Sequence, residues 1–228
     1  MLRKTGATLL ALLALAGCTT APGHLTNAPS SASVPKARGM RGGIFVSDAL
    51  PPLRLTTGPG LAYVGSHPFR IGAIAEGERH VFAEAAGGRV RRLLVLQFES
   101  ILPASTEEYR YRITNPVTLG GVPYRHSVHF YRTSDSIRES PDGELALTVE
   151  FLRRHGLTLP DEQAMDRYAR VIGADRRHEL LIFYHESLED WGKGRVADLA
   201  VDGTPRPEAA DLVRAFVERS SKSFTIEE

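Results

Sequence analysis

His80-Val81-Phe82-Ala83-Glu84-Ala85-Ala86-Gly87-Gly88-Arg89-Val90-Arg91-Arg92-Leu93-Leu94-Val95-Leu96-Gln97-Phe98 is the stretch whose reading decides the fold. Gly87-Gly88 supplies two adjacent residues that accept positive φ, which a two-residue hairpin turn requires, so the flanking segments read as antiparallel partners. Residues 93–98 are apolar at both odd and even positions near their centre, the pattern of a central strand covered on both faces.

Strands extend outward from this hairpin. Residues 179–184 form a second strongly apolar run, and residues 122–132 place Val122, Tyr124, Val128 and Phe130 on one face. Residues 109–113 alternate strictly, with Tyr109, Tyr111 and Ile113 on one side and Arg110 and Arg112 on the other. Residues 43–47 read as a short first strand. Pro51-Pro52 and Thr57-Gly58-Pro59-Gly60 break the pattern, so residues 48–75 are expected to be loop-rich. Helical signals follow. Ser140-Pro141-Asp142 offers a capping hydroxyl, Pro in the first turn and an acid, and Leu145, Val149 and Leu152 repeat at helical spacing up to Gly156. Pro160-Asp161-Glu162 predicts a second helix with Met165, Tyr168 and Ile172 on one stripe, closed by Gly173. A last helix starts near Pro207 and buries Ala209, Val213, Phe216 and Val217. Strands first and helices later argue for an α+β fold: an antiparallel sheet with about three helices, mostly in the C-terminal half, in one domain spanning residues 42–228.

The N-terminus carries a different signal. Arg3 and Lys4 precede an apolar run at residues 9–15, then Ala16, Gly17 and Cys18. That run is about half of the ~20 residues that span a bilayer, so it reads as a processed segment rather than an anchor. Leu15-Ala16-Gly17-Cys18 resembles the lipobox of bacterial lipoproteins. The resemblance covers the signal region alone. It implies removal of residues 1–17, a thioether-linked diacylglycerol on Cys18 and a fatty acyl chain such as palmitate on its α-amino group, enough chains for stable anchoring. Thr19, where an Asp would favour the inner membrane, implies an outer-membrane address facing the periplasm.

Cys18 is the single cysteine, so no intrachain disulfide can form and the domain must be held by its core. Losing Arg3 and Lys4 with the signal takes the formal charge from +1 to −1, which gives no electrostatic case for nucleic acid. Residues 18–41, rich in Pro, Ser, Ala, Thr and Gly, read as a flexible tether of roughly 25 Å mean reach.

Motifs for chemistry fail one by one. His185-Glu186-Ser187-Leu188-Glu189 begins like the zinc-peptidase HExxH, but Glu189 stands in place of the second His and the segment ends a strand. His126 and His129, three apart on a strand, face opposite sides, and His178 and His185 are likewise of opposite parity, so no metal or cofactor is expected. Lys4-Thr5-Gly6 and Ser33-Val34-Pro35-Lys36 match β-lactamase fragments by letter only, in the wrong order and outside the domain. Gly58-Pro59-Gly60 lacks the spacing of a nucleotide-binding loop. Arg110 and Arg112, joined by Arg125 from the next strand, are the candidate ligand site, because planar guanidinium forks suit carboxylate or phosphate, with Glu99 as an acid that could instead neutralise them. Trp191 reads as either an exposed contact or a loop anchor. The expectation is a lipid-anchored binding or accessory module, membrane-bound through Cys18 and facing an envelope protein or a small anionic ligand. The alternative is a periplasmic hydrolase with dispersed catalytic residues, which would need a Ser or Asp nucleophile within reach of a His. A third is a structural envelope component without a ligand.

Overall fold

The computed structural model describes residues 37–113, 116–192 and 195–228. Residues 1–17, Cys18 and the tether up to residue 36 lie outside the described residues.

The chain runs through β1 (Arg38–Arg41), β2 (Ile44–Ser47), β3 (Leu53–Thr57), β4 (Ala62–Ile71), β5 (Ala75–Ala86) and β6 (Arg89–Ile101). Next come β7 (Pro116–Leu119), β8 (Val122–Arg132), α1 (Thr133–Glu139), α2 (Glu144–Arg154), β9 (Glu162–Ile172) and β10 (His178–Ser187). It closes with α3 (Val196–Leu199), β11 (Ala200–Val201), β12 (Thr204–Pro205), α4 (Ala210–Ser223) and β13 (Phe224–Glu227). Seven strands form one antiparallel sheet in the order β4-β5-β6-β10-β9-β8-β7, and β1-β2-β3-β13 form a smaller one. The fold is α+β, as the order of signals indicated.

The hairpin at the centre is as read. Gly87 and Gly88 hold φ of 57° and 78°, the positive pair of a two-residue turn. β6 then lies inside the sheet with its two parities in two different cores. Leu94, Leu96 and Phe98 meet Phe45, Leu55, Tyr168, Ile182, Phe216 and Phe224 beneath the small sheet and α4. Leu93 and Val95, with Val81 and Val90, meet Phe151 and Leu152 of α2. Gly77 has to be glycine, since a Cβ would meet the Phe98 carbonyl oxygen at 2.2 Å and the Phe69 ring at 2.6 Å.

Five expectations are corrected. Residues 162–172 are strand β9, not a helix: β9 sits between β8 and β10, whose backbone groups both pair with it. Met165, Tyr168 and Ile172 match a helical stripe, yet Tyr168 and Ile172 enter one core while Met165 faces the opposite side. Residues 48–75 are largely strand, because β3 completes the small sheet and β4 is an edge strand, the position that tolerates Pro68. Residues 109–113 form no strand; side chains, not a ladder, hold that segment. Residues 38–41, assigned to the tether, form β1, so the folded unit starts before residue 42. The helix expected at Ser140-Pro141-Asp142 begins at Glu144, with Gly143 as its N-cap. The terminal helix follows Pro207 as read, and β13 after it pairs with β3.

Candidate functional site

The register of the large sheet sorts its polar residues. On the side of α2, β5 presents Arg79, β6 presents Gln97 and Glu99, β10 presents Glu179, Phe183 and His185, β9 presents Met165 and Arg167, and β8 presents Arg125, Ser127, His129 and Tyr131. Arg79, Gln97, Glu99, Glu179 and His185 are all buried. α2 covers only part of this face, and between it, α1 and the sheet lies a cleft of about 400 Å³. Leu93, Val95, Leu145, Met165 and Phe183 form its apolar walls; Arg79, His129, Tyr131, Thr148 and His185 are polar groups from the sheet and α2, and Glu139 and Glu144 also line it. An apolar cleft with a few convergent polar groups is the usual form of a small-molecule site.

Arg79 is the group that needs explaining. It is 7 % exposed, and every hydrogen bond it makes is to a neutral acceptor: Nε to Gln97 Oε1 at 2.6 Å, Nη1 to the Glu144 carbonyl at 2.7 Å and to Thr148 Oγ1 at 2.7 Å. Among the described residues it has no carboxylate within ion-pair distance, and Nη2 has no protein partner. Burial lowers its pKa to about 10, against the pull of Glu144, Tyr131 and Glu99, so it remains a cation at neutral pH. A buried charge that closes no direct ion pair costs several kcal/mol unless something neutralises it. Beside it, the Tyr131 hydroxyl and His185 Nδ1 share a hydrogen bond at 2.9 Å. Burial first and Arg79 second push His185 down to about 3, and burial raises Tyr131, so both stay neutral. Among the described residues Arg79 is thus the one cation lining the cleft, with the carboxylates of Glu139 and Glu144 also among its lining residues.

From Arg79 a chain of hydrogen bonds crosses the face. His67 Nε2 meets Thr148 Oγ1 at 3.2 Å; Gln97 Nε2 donates to Glu99 Oε2 at 2.7 Å, and the Tyr109 hydroxyl donates to Glu99 Oε1 at 2.6 Å. Glu179, directly opposite Glu99 in the ladder, accepts from the Tyr111 hydroxyl at 2.7 Å. Burial and the neighbouring Glu99 raise the Glu179 pKa, against the pull of Tyr111, Arg167 and Arg125. Two tyrosine hydroxyls therefore pin residues 109–111 to the sheet, while the Arg176 guanidinium grips the Tyr109 carbonyl from behind.

This placement divides the arginines named from sequence. Arg110 turns outward to Glu108 at 2.8 Å, and Arg112 is exposed. Arg125 alone of the three belongs to the sheet face, its guanidinium 5.4 Å from the Tyr111 ring centre. Glu99 neutralises none of them. The residues that pattern reading missed are Arg79 and Arg167. Arg167 was lost with the strand that carries it. Arg79 lies one residue before the strand read from sequence, which began at His80, because β5 in fact starts at Ala75.

Among the described residues two Ser–His pairs occur: Ser127 Oγ with His129 Nε2 at 3.1 Å, and Ser100 Oγ with His178 Nδ1 at 2.8 Å. Neither imidazole is bonded to a carboxylate among the described residues. His129 is held below its ordinary pKa by burial, then by Arg167 and Arg125, surroundings that disfavour the imidazolium a general base must become. Two other histidines do meet carboxylates, His126 with Asp166 and His80 with Glu78 at 3.1 Å, and His126 faces the other core, as the odd spacing from His129 requires. His185 and Glu186 also point to opposite faces. Glu186 accepts from Tyr184, Trp191 and Arg219, which makes Trp191 a loop anchor packed on Phe216.

Comparison with protein-family models, with characterised proteins and with solved structures finds no match for this chain.

Proposed function

We propose that this chain is an envelope lipoprotein whose domain binds a small anionic ligand in the cleft between α2 and the large sheet. The observation that carries the reading is Arg79, a buried guanidinium that opens on the cleft with no carboxylate partner. At 4 Å, a ligand carboxylate would gain a gross ~4 kcal/mol at the effective dielectric of a protein site, against roughly 1 kcal/mol for a neutral hydrogen bond. The apolar walls suit a hydrocarbon body behind that head group. Tyr131, His185 and Thr148 add direction rather than charge.

The test is calorimetric titration of the full chain with hexanoate. Binding is expected in the native protein and a loss of about tenfold or more in Arg79→Gln, the size of one charge-assisted hydrogen bond. Equal affinity in both would refute the role of Arg79. The anchor half of the proposal rests on the lipobox resemblance. Mass spectrometry of membrane-extracted protein is expected to show acyl chains on Cys18 and none in Cys18→Ser; retention of that variant in the membrane fraction would refute it.

A further inference from the structure

Beyond Phe183, on the same sheet face, two more guanidinium groups close no ion pair among the described residues, although both act electrostatically on Glu179. Arg167 on β9 lies directly opposite Ser127 on β8, and Arg125 is two residues before Ser127, so both flank one hydroxyl. Such diagonal neighbours have Cα atoms roughly 7–8 Å apart, close enough for long side chains to converge on one group. Among the described residues neither arginine donates a hydrogen bond or forms an ion pair; each is held only by ring contact, Arg125 on Tyr111 at 5.4 Å and Arg167 on Phe183 at 6.0 Å. Stacking orients a guanidinium plane and leaves its N–H edge free to donate. Glu179 is the acid on the face that feels both arginines, and its Oε1 is taken by Tyr111.

Phe183 connects this cluster to the cleft. The guanidinium carbons of Arg79 and Arg167 lie 5.3 Å and 6.0 Å from the centre of the same ring, and His129, hydrogen-bonded to Ser127, lines the cleft. We infer that Arg125 and Arg167, with the Ser127 hydroxyl between them, form a second oxyanion subsite, so that a ligand held at Arg79 and reaching past Phe183 carries a carboxylate or phosphate at its far end too. This ligand class, an apolar or short chain with two acidic groups, rests on the reading of the cleft; the subsite itself rests on the two unpaired arginines.

The experiment compares adipate with hexanoate on the full chain and on R125Q/R167Q, which keeps the stems and removes the charges. Adipate is expected to bind about tenfold tighter than hexanoate to the native protein, the increment of one further charge-assisted contact. R125Q/R167Q should erase that gain and leave hexanoate unchanged, while R110Q/R112Q should leave the gain intact. Equal affinities for the two acids, or a gain that survives R125Q/R167Q with its melting temperature intact, would overturn the inference. A titration with inorganic phosphate, followed by NMR at Ser127 and His129, separates the two readings. Saturable shifts there that vanish in R125Q/R167Q would uphold the subsite even if hexanoate fails to bind; their absence in the native protein would overturn it whatever hexanoate does.

Discussion

The two faces of the seven-stranded sheet are built from the same strands, one residue out of step, and they treat polar groups in opposite ways. Beneath α4 and the small sheet, the acids Asp166, Glu186 and Glu228 end in donors from the protein. Asp166, fully buried, accepts from His126 and from Tyr168, whose hydroxyl also meets Ser220 of α4. Glu186 takes Tyr184, Trp191 and Arg219; Glu228 takes Tyr124 and Arg170. Beneath α2 the acids are also matched, by Tyr109, Tyr111 and Gln97, but Arg79, Arg125 and Arg167 are left over. The networks around these acids on the first face hold the fold together, although Arg38 Nε and His80 Nε2 on the same face make no hydrogen bond among the described residues. Surplus donors of a single sign on the second are what a binding face requires, since an anion arriving there displaces no protein partner.

The largest effect should come from breaking a closed network. Asp166→Ala leaves His126 and Tyr168 facing a dry gap, and urea denaturation should show a loss of about 3–5 kcal/mol, the usual cost of deleting one partner of a buried pair. A loss below about 1 kcal/mol would mean that this face is no more self-sufficient than the other.

Next is acid. His185 has a folded pKa of about 3 against an unfolded value near 6.5, so between those values the unfolded chain binds the additional proton. Stability contributed by the neutral imidazole is present above pH ~6.5 and is lost as pH falls toward 3, by at most about 1.4 kcal/mol per pH unit. His67 and His129, also lowered by burial, add to the same slope. His185→Gln, which can still bond the Tyr131 hydroxyl, should flatten the pH dependence of the urea midpoint in that window. An unchanged slope would place the proton uptake elsewhere. The smallest effect should be that of R125Q/R167Q on stability, within about 0.5 kcal/mol, because those side chains close no protein contact beyond ring stacking. A larger loss would make them part of the scaffold.

The same comparison explains what could be read without coordinates. β6, β10 and α4 were legible because their buried residues are apolar and keep period. The first face was therefore readable through Leu94, Leu96, Phe98 and Phe216. β9 was not. Its buried positions include Gln163 and Asp166, which erase the period-2 signal and leave Met165, Tyr168 and Ile172 as a chance helical stripe. Residues 109–113 erred in the other direction: Tyr109 and Tyr111 alternate because both hydroxyls reach down to carboxylates, not because a strand lies alongside. Arg125 was found since its strand was found. Arg79 and Arg167 sit where buried polar chemistry breaks the pattern, and such breaks are legible only once neighbours across the sheet are known.

The most direct measurement is a crystal structure of the domain with hexanoate. The account predicts the carboxylate within about 2.7–3.2 Å of the Arg79 guanidinium, its chain against Leu145 and Phe183. A carboxylate bound elsewhere, or an Arg79 Nη2 donating to a protein carboxylate instead, would contradict it.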